Sequence, residues 1–221
     1  MYNLDILYED NHIIVCYKDS GILSQADNTD SIDMLTIIKD YIKNKYNKPG
    51  NVFLGLVHRL DRNTEGIMVF AKTSKAAKRL FESINNDEFT KKYYALVENK
   101  PIKKESTLED YILKDEKNKK AYINKNGKLA KLHYKLHDEV IINNKKLYLL
   151  DITLYTGRFH QIRCQLSNIG NPLYLDKKYN PKVSKSNYFL CAYYLKFKHP
   201  TLDKYLEFTI NPYEKLQNHY K

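Results

Sequence analysis

The stretch His58–Gly66, "HRLDRNTEG", surrounds one aspartate with basic side chains. "VFLGLV" precedes it and "IMVFA" follows it, so the pattern predicts two strands joined by a polar loop. His58, Arg59 and Arg62 flank Asp61, and neighbouring cations lower the pKa of a carboxyl group. We therefore expect Asp61 to be ionised at neutral pH, where it could be a nucleophile, a base or an ion-pair partner. A strand-end turn with ordinary ion pairs is the alternative.

The hydrophobic pattern on both sides of this stretch predicts more strands than helices. Helices are expected over 31–46, over 75–84 after a Ser74 cap, and over 160–170, where Gly170 ends the helix. Strands are expected over 4–9, 12–18, 51–57, 66–72, 91–98, 106–113, 121–125 and 131–141, over a hairpin arm turned at Asn143-Asn144, and over 188–200 and 202–210. Because the strands come in runs, the pattern predicts an α+β fold with a largely antiparallel sheet.

Composition narrows the class of protein. The 221 residues carry 37 Lys and Arg against 26 Asp and Glu, although the first fifty hold eight acids and only five bases. This asymmetry favours a polyanionic partner, with a lysine-rich surface kept for solubility as the alternative. Three widely spaced cysteines suggest neither a zinc site nor a disulfide framework, which favours the cytoplasm. The sequence shows no signal peptide and no apolar run of membrane-spanning length, so we expect no membrane association.

Two further segments carry side chains suited to chemistry. In "YTGRFHQIRCQL", Arg158, His160, Gln161 and Arg163 gather at a predicted helix start, where anions bind; a basic, solvated helix is the alternative. In "KKYYALV", Tyr93 could stack on a base or move a proton, or be an ordinary strand tyrosine. The sequence contains no phosphate-binding glycine loop, no HExxH motif and no second histidine at metal-ligand spacing from His160, so we expect no metal and no cofactor.

Together and in this order, these segments resemble an RluA-type RNA pseudouridine synthase. The matching text is "ILYEDNHIIVCYKDSGIL", "HRLDRNTEGIMVFAKT", "KKYYALV", "GRFHQIRCQLSNIGNPLYLDKKY" and "LCAYYLKFKHP". The resemblance implies one catalytic domain over residues 1–221, with a central, mainly antiparallel sheet flanked by helices and an active-site cleft across the sheet. It implies a chain that begins at the catalytic domain, without the separate N-terminal RNA-binding domain of many relatives.

The resemblance also implies roles for individual residues. Asp61 corresponds to the essential catalytic carboxylate, Tyr93 to a tyrosine that stacks on the uracil, and Arg163 to a basic residue that pairs with the aspartate. Arg59 corresponds to an arginine that helps extrude the flipped uridine. The implied partner is ribosomal or transfer RNA, bound by a monomer. His58, Arg62, Arg158, His160 and Gln161 are the further residues that we expect at the substrate.

The chain departs from the family pattern at several places. Lys18-Asp19-Ser20-Gly21 lacks the usual proline, and Glu65 stands where a small hydroxyl residue is usual. The other departures are Phe159, Asn171, Leu175 and Cys191. One alternative function is a catalytically silent RNA-binding or ribosome-assembly protein on the same fold. Another is a hydrolase of a nucleoside bond, which is disfavoured because only Asp61 has a motif position where two carboxylates are needed.

Overall fold

The computed structural model describes residues 2–27 and 29–220, which form two compact units. The first unit comprises Met1–Thr90 and Ala192–Ile210, and the second comprises Lys91–Cys191 and Asn211–Lys221. The elements are β1 (Ile6–Glu9), β2 (Ile13–Lys18), α1 (Met34–Lys45), β3 (Gly55–Leu56), β4 (Glu65–Ala71), α2 (Ser74–Asn85), β5 (Phe89–Val97), β6 (Glu105–Asp115), β7 (Lys120–Ile123), β8 (Lys128–Ile142), β9 (Lys145–Leu154), α3 (Gln161–Asn168), β10 (Leu190–Lys198), β11 (Tyr205–Thr209) and α4 (Pro212–His219).

The first unit contains a sheet in the order β1-β2-β4-β10, with β3 paired to β4 and β11 paired to β10. The β1–β2, β2–β4, β3–β4 and β10–β11 pairs are antiparallel. All residues of β2 and β4 are buried, in agreement with the apolar runs that make up most of each strand; Lys18 at the end of β2 and Glu65 at the start of β4 are the charged exceptions. Val15, Val69, Leu80 and Phe197 belong to the core that α2 covers. This packing fixes both ends of the loop that carries Asp61.

The second unit contains a sheet in the order β5-β9-β8-β6-β7, and its neighbouring strands are antiparallel. The hairpin between β8 and β9 turns at Asn143 and Asn144, both with positive φ, so the predicted hairpin is confirmed. Helix α3 packs through Cys164 against Ile112 and Ala130 of this sheet. Each unit thus has an antiparallel sheet with helices, and the predicted α+β class is confirmed. The single domain over 1–221 and its cleft stay predictions.

Two local predictions were wrong, and one helix was missed. The expected strand over 51–57 is reduced to the two residues of β3, which pair with Ala71 and Phe70 of β4. The cap of α2 is Thr73, which accepts a hydrogen bond from the backbone N–H of Ala76, and Ser74 is the first helical residue. Helix α4 was not predicted, although Asn211 and Pro212 form a standard helix start. In the described residues, no helix has the length and apolar character needed to cross a membrane.

Candidate functional site

Asp61 lies in the loop that joins β3 to β4, at the first position of a tight turn. The backbone N–H of Thr64 donates to the carbonyl of Asp61 at 3.0 Å, which closes the turn. The preceding residue is held on both sides, because the Ser24 hydroxyl donates to the Leu60 carbonyl at 2.8 Å and accepts from the Leu60 N–H at 3.0 Å. Leu60 and Ser24 are buried, and Asp61 is half-buried. The carboxylate therefore projects from a backbone that is anchored to the unit interior.

The fully buried ammonium group of Lys18 fastens this turn to the Lys18–Gly21 segment. Its Nζ donates to the carbonyls of Asp19 at 3.0 Å, Ile22 at 2.7 Å and Arg62 at 3.0 Å. Burial lowers the pKa of Lys18 to about 8, and the carboxylate of Asp61 is the largest influence opposing that shift. At pH 7 the group is therefore mostly protonated and can satisfy all three carbonyls.

Further bonds join the same two segments. The Gly21 N–H donates to the Arg62 carbonyl at 2.9 Å, and Arg62 Nε donates to the Gly21 carbonyl at 3.1 Å. The Ser20 hydroxyl donates to the Asn63 carbonyl at 3.1 Å. The proline that is usual in this motif is absent here, and these bonds keep the segment in place without it. Arg62 thus has a structural contact, and its predicted place at the substrate stays a prediction.

The remaining basic residues of the loop differ in their surroundings. His58 is partly buried, its Nε2 accepts from the Val69 N–H at 3.1 Å, and its ring meets Phe89 edge-on. These contacts anchor the start of the loop to β4 and the core. Arg59 is exposed, one residue before the buried Leu60. Arg59 is therefore open to solvent, and its predicted place at the substrate stays a prediction.

The surroundings of Gly66 explain why the motif ends with glycine. Its φ is +129°, and a Cβ at this position would lie 2.4 Å from the carbonyl oxygen of Ala192. No side chain fits in that space, and the backbone conformation disfavours one as well. Glu65, immediately before it, is buried at the start of β4. Its carboxylate opposes the lowering of the Lys18 pKa, which places a second negative charge near that ammonium.

In the second unit, Tyr93 lies on β5 and is only 5% exposed. It is directly opposite Ile152 on β9, and Ile152 is in turn opposite Tyr134 on β8. Tyr93 and Tyr134 therefore share one face of the sheet, whereas Tyr94 lies on the other face, where its ring meets His137. Whether Tyr93 contacts substrate stays a prediction.

The start of α3 is organised by a buried amide. Gln161 Oε1 accepts from the Thr156 hydroxyl at 2.7 Å and from the Arg158 N–H at 3.0 Å. Its Nε2 donates to the Lys131 carbonyl and to Gln165 Oε1, each at 3.1 Å. Gln161 thus supports the loop before the helix, and this network could not be predicted from the sequence. Its predicted contact with substrate stays a prediction.

His160 precedes α3 in the left-handed conformation, with φ of 51°. Its ring stacks on Phe159 at 3.8 Å between centroids, and its Nδ1 lies 3.0 Å from the Tyr179 hydroxyl. Burial lowers the pKa of His160 to about 2, and the charge of Arg163 adds to this. The imidazole is therefore neutral at neutral pH, so any contact with substrate would be a neutral hydrogen bond rather than an ion pair.

Arg163 makes a two-point ion pair with Asp176, and both side chains are almost completely buried. Arg163 Nε lies 2.7 Å from Asp176 Oδ2, and a terminal nitrogen lies 2.9 Å from Oδ1. The guanidinium carbon lies 4.5 Å from the ring centre of Tyr188 and 5.1 Å from that of Tyr179. A carboxylate and two rings thus fix the plane of the guanidinium. Asp176 was missed from the sequence, because its segment was noted only for matching the family.

A metal site was not expected from the sequence. Among residues 2–27 and 29–220, no group of three or more histidine, cysteine, aspartate or glutamate side chains is arranged to hold a metal ion. The buried carboxylate of Asp176 pairs instead with Arg163.

Comparisons with known proteins point to one family. Residues 12–168 match the family model described as RNA pseudouridylate synthase. The chain is 33% identical over 181 residues to ribosomal large subunit pseudouridine synthase C of Buchnera aphidicola subsp. Schizaphis graminum, which covers 80% of this chain and 54% of that protein. It is 30% identical over 210 residues to the uncharacterized RNA pseudouridine synthase YlyB of Bacillus subtilis, covering 93% and 68%. The chain thus spans about half the length of the first of these relatives.

A solved structure gives the same picture of the fold. Human RNA pseudouridylate synthase domain containing 4 superimposes with a TM-score of 0.75 over 94% of this chain and 88% of that chain, at 21% identity. At this identity the similarity concerns the fold. The segments that carry Asp61, Tyr93 and Arg163 all lie within the residues that match the family model.

Proposed function

The chain belongs to the RNA pseudouridylate synthase family, and from this premise we propose that it isomerises uridine to pseudouridine in structured RNA. The observation that carries the proposal is the family match over residues 12–168, which includes the anchored turn bearing Asp61. The net charge of +11 supports a polyanionic substrate. The reaction breaks the bond from ribose to a ring nitrogen of uracil and joins the same ribose carbon to a ring carbon. The ring nitrogen gains a proton, and the ring carbon loses one.

Asp61 is the proposed catalytic carboxylate. The Thr64 N–H closes its turn, and the turn is anchored through Leu60 and through the Arg62 carbonyl, which accepts from Lys18. The side chain therefore starts from a fixed backbone. Preorganised geometry of this kind lowers the entropy lost when reacting atoms meet. The carboxylate could add to the uracil ring, attack the ribose carbon, or help to form a glycal from the sugar.

Tyr93 and Arg163 are the other two proposed catalytic residues. Tyr93 would stack on the uracil and take part in moving the proton that leaves the ring carbon. Arg163 would pair with Asp61 and keep it ionised, as the resemblance implies. The Asp176 carboxylate and the Tyr179 and Tyr188 rings support this role, because they hold the guanidinium in one orientation.

We propose ribosomal RNA as the substrate, because the Buchnera relative is named for the large ribosomal subunit. Transfer RNA is the competing substrate in the test. The protein would act in the cytoplasm and as a monomer. A catalytically silent RNA-binding protein on the same fold is disfavoured, since Asp61, Tyr93 and Arg163 are all present.

The function is tested by incubating the purified protein with ribosomal RNA and, separately, with transfer RNA, both lacking pseudouridine. Pseudouridine is detected by carbodiimide modification and primer extension, without added metal or nucleotide. We expect conversion at discrete positions of ribosomal RNA. Conversion only in transfer RNA would overturn the assignment of ribosomal RNA as the substrate. Binding without conversion of either RNA would favour the catalytically silent RNA-binding protein.

Arg59 is expected to matter most when the target uridine is stacked. Extrusion of a base costs a few kcal/mol, and a guanidinium plane can offset it by stacking in the vacated space. Arg59→Ala should therefore lower turnover on folded RNA more than on an unstructured oligonucleotide with the same target. Lys78→Ala removes an exposed cation from α2 of the same unit and is the matched control. Equal losses on both RNAs would contradict an extrusion role for Arg59.

A further inference from the structure

Strands β6, β7 and β8 of the second unit expose large apolar side chains on one face of the sheet. Tyr111 of β6 lies directly opposite Leu129 of β8, and Leu113 of β6 lies opposite Tyr122 of β7. Tyr111 is 51% exposed, Tyr122 43% and Leu129 40%. These four residues are called the tyrosine platform. Alternation along β6 places Tyr111 and Leu113 on the same face, so the two pairs are neighbours.

The opposite face of the same strands is buried and rigid. Ile112, Ala121 and Ala130 alternate with the platform residues and form a buried cluster with Cys164 of α3 and with Tyr179. The hairpin leading into β8 packs closely as well, since a Cβ on Gly127 would lie 2.3 Å from the Ile112 backbone. The platform is therefore a fixed surface whose rings stay exposed because of the strand register.

Positive charge surrounds the platform. Residues 109–131 contain four acids, and each has a partner: Glu109 pairs with Lys131 at 3.2 Å, Asp110 accepts from Gln165, Asp115 accepts from Asn118, and Glu116 pairs with Lys114 at 2.6 Å. Arg158 reaches the platform edge, where its Nε donates to the Leu129 carbonyl at 2.8 Å. The lysines of this segment are Lys114, Lys117, Lys119, Lys120, Lys125, Lys128 and Lys131.

We propose that the tyrosine platform binds unpaired nucleotides of the RNA substrate, outside the reacting uridine. Tyr111 and Tyr122 stack under bases, while the surrounding lysines and Arg158 contact phosphates. Exposed aromatic rings within a basic surface suit single-stranded RNA, because every base has a face that can stack and every nucleotide carries a phosphate. A paired duplex does not offer its base faces in this way. This inference rests on the proposed function, since it concerns the same RNA.

The platform is tested by binding a fluorescein-labelled, unstructured oligouridine of about a dozen nucleotides, a length within the usual span of such sites. Tyr111→Ala combined with Tyr122→Ala should raise the Kd about tenfold or more, as the loss of stacked bases predicts. Tyr111→Phe with Tyr122→Phe retains both rings and should bind within about twofold of wild type. The matched control is Tyr205→Ala, which removes an exposed tyrosine of β11 that lies near Lys196 of β10. An unchanged Kd in the double alanine variant would overturn the proposal.

A photochemical measurement on wild-type protein tests the platform even if the alanine variant misfolds. The same oligonucleotide carrying 5-iodouridine is irradiated with wild-type protein, and crosslinked peptides are identified by mass spectrometry. We expect crosslinks at Tyr111 or Tyr122. Crosslinks confined to other tyrosines would overturn the platform.

The outcomes for the platform and for the function are separate. If wild-type protein converts uridine while the double alanine variant binds normally, the platform fails alone. If no RNA is converted, the proposed function fails, and the Kd and crosslinks still decide the platform. If a protein partner covers Tyr111 and Tyr122 and RNA binding by the double alanine variant is unchanged, the platform proposal is also overturned.

Discussion

Asp61→Asn should abolish pseudouridine formation, with a loss of at least about 10³-fold in kcat, the scale seen when a residue of the catalytic machinery is removed. Asparagine keeps the size of the side chain, and the turn keeps its backbone bonds through the carbonyl of residue 61 and through Leu60. It removes the negative charge, so neither covalent attack nor proton abstraction by this side chain is available. The loss should appear in single-turnover measurements as well as at steady state.

Two controls make this result specific. Asp40→Asn changes an exposed aspartate on α1 of the same unit and should leave turnover unchanged. Binding of substrate RNA by the Asp61 variant should stay within a few-fold of wild type, because lysines and arginines provide most of the contact with phosphates. Retained turnover would refute the assignment of Asp61. Loss of binding together with turnover would point to a structural role instead.

Asp176→Asn should be the most destabilising conservative substitution that we propose. It removes the charge of a fully buried carboxylate that holds two nitrogens of Arg163, and breaking such a pair costs about 3–5 kcal/mol. The free energy of unfolding, measured by urea denaturation, should fall by that order. Turnover should also fall under conditions in which the variant is still folded, because Arg163 loses the partner that fixes its orientation.

The matched control is Asp203→Asn, which makes the same chemical change in an exposed pair with Lys198. Surface ion pairs contribute little, so the urea midpoint should not move. Equal midpoints for the Asp176 variant and wild type would contradict a stabilising role for the buried pair. A destabilised variant with normal turnover would show that Arg163 is positioned by other contacts.

Much of the fold could be predicted because local patterns and tertiary packing agree. The unbroken apolar runs of β2 and β4 are buried on both faces, and Asn143-Asn144 supplies the left-handed conformations that a tight hairpin needs. The weak points were the ends of elements. Thr73 and Ser74 are both good caps, and only the structure shows which hydroxyl accepts the N–H of Ala76.

The site was harder to predict where its residues act through other residues. Asp61 and Arg163 stand in dense, unusual motifs, whereas Asp176 and Lys18 appear in the sequence as ordinary charged residues. A lysine predicts a solvated surface position, yet Lys18 is fully buried because three carbonyls from two separate segments converge on it. Contacts of this kind depend on tertiary distances, to which single-sequence patterns are blind.

The close contact between Gly66 and Ala192 has a consequence for how the chain acquires its shape during translation. The first unit needs Ala192–Ile210, so its earlier residues leave the ribosome long before the strand that completes their sheet. Contacts this distant along the chain form slowly. Until that strand arrives, the nascent chain exposes one edge of β4, the kind of surface that chaperones protect and that aggregates when unprotected. The turn bearing Asp61 therefore reaches its final surroundings only after residues 192–210 have been synthesised.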